Sequence, residues 1–97
     1  MKSIMQKDKT SCYLCGRNGC GDSLEEHHCF GGSNRRYAEK DGLKVYICGS
    51  RCHRNGPVSA HQNKRTADFL KVEAQMAWEA AYGSREAFIK RYGKNYL

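Results

Sequence analysis

Two pairs of cysteines constrain the fold of this 97-residue chain more than any other feature. Cys12 and Cys15 are separated by two residues and followed by a glycine, whereas Cys48 and Cys52 are separated by three residues. Pairs at this spacing are typical of zinc knuckles, in which each pair supplies two thiolates to one ion. Because a chain this short buries a modest share of its surface, we expect these four cysteines to hold a structural zinc ion that stabilises the fold.

Whether cysteines bind metal or form disulfides depends on the cellular compartment. Residues 1–9 contain no apolar run of the length of a signal peptide, and no stretch approaches the length of a membrane span. We therefore expect a cytoplasmic protein that binds zinc. Two cysteines remain, and either could replace one of the four. Cys29 is expected to be a small apolar side chain in a strand, and Cys20 a loop thiol.

The pattern of apolar residues predicts an α+β fold. Residues 24–30 and 43–48 have the length and the apolar or β-branched content of two short strands, which would pair in antiparallel fashion. Between them, the polar and basic residues 31–42 predict a loop. Residues 62–82 are rich in alanine and contain no Gly or Pro, so they predict a long helix.

The C-terminal third is expected to be helical throughout. One apolar face of the long helix is formed by Phe69, Val72, Met76, Ala77 and Ala80. Ser84 is expected to be the N-cap of a last short helix, which ends before Gly93. The aromatic side chains expected in the core are Trp78, Phe88 and Tyr92. Residues 1–11 are expected to be a flexible basic arm, and residues 12–97 a single domain with a C-terminal helical extension.

The charge of the chain favours an anionic partner. Its formal charge is +7, and its pI is near 9.2. Residues 1–65, which contain all the cysteines and histidines, hold twelve basic and six acidic side chains. Positive charge of this kind binds polyanions through release of their counterions. Its coincidence with the expected metal site favours nucleic acid as the partner.

All four histidines lie close to the cysteine frame. His27 and His28 are in the first predicted strand, His53 follows Cys52 directly, and His61 lies eight positions further on. Because all four fall in two segments within the cysteine frame, we expect the imidazoles to gather in one site. The chemistry that fits is hydrolysis of a phosphodiester, which needs both a bound cation and a base of near-neutral pKa, and imidazole can supply both. Adjacent side chains of a strand point to opposite faces, so His27 and His28 would share this site only through a local twist or bulge.

The Cys-x-x-Cys knuckle, the His-His pair on a strand and the Cys-x-x-x-Cys-His knuckle before a helix together resemble the HNH nucleases of the ββα-metal fold. Residues 27–32, 42–53 and 56–61 look more particularly like small bacteriophage HNH proteins related to the RecA-dependent recombination-enhancement nuclease. The likeness covers about residues 12–65. It implies a zinc-stapled ββα-metal domain in the cytoplasm of a bacterial host, acting as a metal-dependent DNA endonuclease in phage recombination, with DNA and a RecA filament as partners.

The resemblance also implies a role for each histidine. His28 would be the general base, His27 and His53 would bind the catalytic ion, and His61 would be its third ligand or a phosphate contact. Asn34 is the one candidate for the middle asparagine of the family, which normally lies close before the second knuckle. The ion would be Mg²⁺, Mn²⁺ or Zn²⁺, although imidazole suits transition metals better than Mg²⁺. The basic side chains expected to contact DNA are Arg35, Arg36, Lys44, Arg54, Lys64 and Arg65.

Two other functions fit the same sequence. One is a non-catalytic DNA-binding module, in which cysteines and histidines hold only structural zinc while the basic face binds phosphate. The other is a small adaptor that binds a partner through the alanine-rich helix, residues 64–82. DNA nicking would distinguish the nuclease from the first alternative, and weak, salt-insensitive DNA binding would indicate the second.

Overall fold

The computed structural model describes residues 1–97 as two strands and three α-helices. In chain order these are β1 (Leu24–His28), α1 (Arg35–Asp41), β2 (Lys44–Cys48), α2 (Lys64–Ala81) and α3 (Arg85–Tyr92). A 3-10 turn, Gly32–Asn34, precedes α1, and a π-helical turn, Gly49–Arg54, follows β2. The predicted α+β fold with a two-stranded sheet is confirmed. None of the helices has both the length and the apolar character needed to cross a bilayer.

The two strands pair in antiparallel register. Leu24 lies opposite Cys48, and His28 lies opposite Lys44. The histidine pair is therefore at one end of the sheet, and the cysteine that ends β2 is at the other. Because β1 is regular through His28, its side chains alternate between the two faces of the sheet.

The loop predicted for residues 31–42 is wrong over its second half, which forms α1. The apolar pattern missed this helix because five of its seven residues are charged. Gly42 ends α1 in the left-handed region, at φ 77°. A Cβ added to Gly42 would also lie 2.4 Å from the carbonyl oxygen of Lys2, so both conformation and close approach require glycine here.

The N-terminal segment expected to be a flexible arm is hydrogen-bonded to the neighbourhood of β2. Its Ile4 N–H donates to the carbonyl of Gly42 at 2.9 Å, and the hydroxyl of Ser3 donates to the carbonyl of Lys44. The side-chain oxygen of Gln6 accepts from the backbone N–H of Tyr46 at 2.7 Å. These contacts cover part of the strand edge that β1 does not occupy.

Helix α2 is confirmed to within two residues of its predicted bounds. It begins after Asn63, whose side chain accepts a hydrogen bond from the Thr66 N–H at 3.1 Å. The predicted core face is wrong, since Phe69 is 49% exposed and Met76 54% exposed. The side chains that α2 buries are Leu70, Ala74, Gln75 and Trp78. The buried glutamine interrupts the apolar pattern, and its amide is satisfied by hydrogen bonds to the C-terminal segment.

The last helix and the aromatic core agree with the prediction. The side chain of Ser84 caps α3 by accepting from the Ala87 N–H at 3.1 Å, and Gly93 ends the helix at φ 88°. The rings of Phe88 and Tyr92 stack with centroids 4.6 Å apart. The aromatic side chains predicted for the core, all buried, are Trp78, Phe88 and Tyr92.

A buried carboxylate joins the three helices. Asp41, at the end of α1, accepts hydrogen bonds from Trp78 Nε1 at 2.9 Å and Tyr92 Oη at 2.7 Å. Arg91 adds a two-pronged contact, with Nε at 2.7 Å and Nη2 at 2.9 Å. The backbone carbonyl of Asp41 also accepts from the Tyr82 hydroxyl at 2.8 Å. This cluster fixes α1 against α2 and α3.

Candidate metal centres

The predicted four-cysteine set comes together in the fold. Cys12 and Cys15 lie in the turn before β1, Cys48 ends β2, and Cys52 lies in the π-helical turn. The four Sγ atoms all lie within 4.8 Å of one another, and those of Cys15 and Cys48 are 3.5 Å apart. A zinc ion with Zn–S bonds of about 2.3 Å spaces tetrahedral sulfurs about 3.8 Å apart. These four cysteines therefore form a set that could hold zinc after small adjustments.

Hydrogen bonds and charge at this centre also suit a cation. The backbone N–H groups of Cys15 and Cys48 point at Cys12 Sγ, at 3.4 and 3.5 Å. Burial raises the pKa of the Cys15 thiol, but hydrogen bonds from the Arg17 backbone and guanidinium outweigh it and lower that pKa to about 6. Burial and the neighbouring thiols raise the pKa of Cys48 to about 11. Without a cation, neighbouring thiolates repel one another and cannot all be ionised. A bound dication would stabilise all four thiolates together.

The two remaining cysteines stay outside this set. Cys29 is buried, with its Sγ 3.7 Å from the sulfur of Met5, whereas Cys20 is exposed. Burial raises the pKa of Cys29 to about 12, which keeps it a neutral thiol. The structure therefore resolves the alternatives that spacing left open in favour of the four paired cysteines.

A second donor group contains three of the four histidines. One ring nitrogen from each of His27, His53 and His61 lies within 4.8 Å of the others. Ring centroids are 4.7 Å apart for His53 and His61 and 5.1 Å apart for His27 and His53. The His61 N–H donates to the His53 carbonyl at 3.0 Å, and this contact closes the loop formed by the seven residues between them. Three imidazoles from separate segments thus share one site.

The pKa of His27 and the hydrogen bond made by His53 suit metal binding. Burial and the nearby charges of His53 and His61 lower the pKa of His27 to about 4, so its imidazole is neutral at physiological pH. The Nδ1 of His53 lies 2.9 Å from Glu25 Oε1, while Glu25 Oε2 accepts from Arg54 at 2.9 Å. A carboxylate can only accept, so His53 donates from Nδ1 and keeps Nε2 free as a ligand. The donor set therefore fits a divalent transition-metal ion.

His28 does not join this group of three. Its Nε2 lies 2.8 Å from Glu39 Oε1, and its side chain is only 9% exposed. Glu39 also accepts from Lys44 at 3.1 Å, and Lys44 lies 3.1 Å from Glu26. Hydrogen bonds from His28, from the N-terminal ammonium of Met1 and from Lys44 lower the pKa of Glu39 to about 2, so Glu39 is ionised. His28 nevertheless borders the same surface depression as the other three histidines.

The basic side chains expected to contact DNA occupy different environments. Arg35 borders the depression that contains the histidines. Lys44 is buried between carboxylates, and Arg54 is paired with Glu25. Lys64 is exposed and lies 2.6 Å from Asp68. Two further exposed side chains of the predicted set, which make no ion pair, are Arg36 and Arg65.

Asn34 points away from the histidines toward α3. Its Nδ2 donates to the carbonyl of Tyr92 at 2.9 Å, which ties the 3-10 turn to the end of that helix. Residues that the sequence did not indicate are Glu25, Glu39 and Lys71. Glu25 lies two residues before His27 and therefore on the same face of the strand, so its position could have predicted a carboxylate beside the histidine group. Glu39 could not be placed without α1.

Both centres are defined by donor type and distance. The thiolate set is closed by four protein ligands, whereas the imidazole set supplies three and borders open space. Comparisons with protein-family models, with curated proteins and with solved structures find no match for this chain.

Proposed function

We propose that the protein is a metal-dependent DNA endonuclease of the HNH type, which hydrolyses phosphodiester bonds in the bacterial cytoplasm. The observation that carries this proposal is the separation of two donor sets, one of four sulfurs and one of three imidazoles beside a basic depression. On the sequence resemblance, the reaction belongs to phage recombination and a RecA filament is a partner.

The two sets would have different roles. Cys12 and Cys15, with the second cysteine pair, would hold structural zinc and fasten the chain before β1 to the end of β2. His27, His53 and His61 would hold the catalytic ion and leave a position for substrate. A divalent ion bound there would neutralise the negative charge that develops on the scissile phosphate and the leaving oxygen.

His28 has the environment of an oriented base. Because ionised Glu39 accepts from Nε2–H of His28, the ring is held as the tautomer whose Nδ1 carries a lone pair. Nδ1 would take a proton from water as the phosphodiester is attacked. Arg35 and Lys71 border the same depression and would bind the phosphate oxygens.

One observation favours the non-catalytic DNA-binding module. The side chain of His28 is nearly covered, and one of its nitrogens is already engaged by Glu39. If neither nitrogen reaches water, the histidines would hold only a second structural ion. The basic surface would then bind DNA without cutting it.

A nicking assay separates these two functions. Supercoiled, linear and single-stranded DNA would be incubated with Mg²⁺, Mn²⁺ or Zn²⁺ and with wild type, His28→Ala or the exposed control Lys90→Ala. We expect wild type and the control to cut, and His28→Ala to lose about a hundredfold or more in rate, because general-base catalysis contributes about 10²–10⁴. Zinc content and thermal unfolding would show that the variant keeps its fold. Normal DNA binding by wild type without scission under any ion would refute the nuclease and support the module.

A further inference from the structure

A second depression adjoins the histidine site along α2. It lies between that helix and the C-terminal segment, and Lys64, Lys94 and Tyr96 border it. Ala67 and Lys71 border both depressions. The surface is therefore continuous from the three imidazoles to the C-terminal segment, and we call this second part the C-terminal groove.

Three lysines border the C-terminal groove against one acidic side chain, Asp68, which is hydrogen-bonded to Lys64 and interacts electrostatically with Lys71 and Lys94. The Nζ atoms of Lys71 and Lys94 lie 5.8 and 5.2 Å from the centroid of the Tyr96 ring, and neither ammonium makes an ion pair. Two like charges beside one ring repel each other, so an anion between them would be stabilised. Lys64 is paired with Asp68 at 2.6 Å, but both side chains are exposed, and such a pair contributes little against phosphate.

The spacing along α2 suits a nucleic-acid backbone. Lys64 and Lys71 are seven residues apart, which places them on nearly the same face, about 10.5 Å apart along the helix axis. Ala67 between them is small and leaves the surface open. Successive phosphates of one duplex strand advance about 3.4 Å along the DNA axis while winding around it, and the flexible four-carbon stem of each lysine can follow that path. Two lysines at this separation can therefore contact the same strand.

We infer that the C-terminal groove binds the phosphate backbone of the DNA strand next to the cleavage position, with Lys71 at the junction of groove and histidine site. This inference rests on the proposed function, because it assigns a path to the substrate of that site. The contacts are ammonium groups directed at phosphate, so binding here is independent of base sequence. The groove thus positions the strand and does not select it.

The test measures affinity separately from cleavage. Binding of a labelled 20-base-pair duplex is measured without divalent ion between 50 and 200 mM salt, for wild type, Lys94→Gln, the double variant Lys71→Gln/Lys94→Gln, and the control Lys90→Gln on the exposed face of α3. Loss of two phosphate contacts should reduce the slope of log K against log salt by about 1.8. The ratio of wild-type to double-variant affinity should therefore fall about twelvefold over this range. Lys94→Gln should show about half the change in slope.

The outcomes separate the groove from the proposed function. If wild type binds and cuts DNA but the double variant keeps the affinity and salt slope of Lys90→Gln, the inference that the C-terminal groove binds DNA is wrong, while the proposed nuclease function stands. If wild type neither binds nor cuts DNA under any condition, both are refuted. Zinc content and circular dichroism establish that each variant is folded. Lys94→Gln, in the exposed C-terminal segment, remains decisive if the change at Lys71 disturbs α2.

Discussion

Replacing Asp41 by asparagine tests whether one carboxylate holds the three helices together. Oδ2 accepts from Trp78, Tyr92 and Arg91 Nε, while Oδ1 accepts from Arg91 Nη2. Asparagine has almost the same shape but only one acceptor oxygen. If that oxygen keeps the first three donors, the amide NH₂ must face Nη2 of Arg91, so one charge-assisted hydrogen bond is replaced by two opposed donors.

The expected loss follows from the burial of this pair. Breaking a buried ion pair costs about 3–5 kcal/mol. The side chain of Arg91 is 33% exposed, so water can recover part of that cost. We expect Asp41→Asn to lower the free energy of unfolding by about 3 kcal/mol, which corresponds to a fall in Tm of about 12–24 °C for a domain of this size.

Urea unfolding and calorimetry of the zinc-loaded protein would measure this loss. The matched control is Asp68→Asn, which breaks an exposed pair with Lys64 and should leave the free energy of unfolding almost unchanged. Zinc content should be unchanged in both variants, because neither carboxylate is hydrogen-bonded to a cysteine or belongs to the four-cysteine set. A loss below about 1 kcal/mol in Asp41→Asn would refute the view that this carboxylate fixes α1 to the other helices.

Three further predictions concern the metal centres. Cys12→Ser should abolish zinc binding and cooperative unfolding, whereas the exposed control Cys20→Ser should keep both, as measured by metal analysis and calorimetry. Glu25→Gln should weaken Mn²⁺ binding at the imidazoles about 10–100-fold in titration calorimetry, because it removes the carboxylate that orients His53; unchanged affinity would contradict this. His27 has a pKa of about 4 when folded, so the unfolded chain takes up its proton first, and stability should rise with pH from about 4 to 6.5. Without added divalent ion, the free energy of unfolding of wild type should fall by about 2 kcal/mol more than that of His27→Gln between pH 7 and pH 4, after allowance for partial exposure of the ring. If urea unfolding gave the same pH dependence of this free energy for both proteins, the prediction would be wrong.

The sequence predicted the features that depend on residues close together in the chain, namely the two cysteine pairs and the ends of α3. The spacing of the cysteine pairs identified the four sulfurs, since a tight turn brings each pair to one ion. Ser84 and Gly93 predicted the ends of α3 because a side-chain cap and a left-handed glycine act within one turn. Helix α1 was missed because its mostly charged sequence carries no apolar period, and the partners that fix it, above all those of Asp41, are distant in the chain.

Tertiary contacts decided what sequence patterns could not. The exposed Phe69 and the buried Gln75 reverse the apolar pattern of α2, because the C-terminal segment supplies hydrogen bonds to the glutamine. His28 follows the simple alternation of a strand and so leaves the group formed by His27. His61 reaches that group through a backbone contact with His53, which no spacing rule anticipates.

Cys52 and His53 are consecutive in the chain, yet their donor atoms belong to different centres. Any rearrangement of the turn that follows loss of zinc at sulfur must therefore displace an imidazole. On the proposed function, protein stripped by a strong chelator and refilled with Mn²⁺ alone should not cut DNA until zinc is returned. Excess zinc would occupy the imidazoles as well. The order and stoichiometry in which the metals are added would then determine which ion each centre holds in a given preparation.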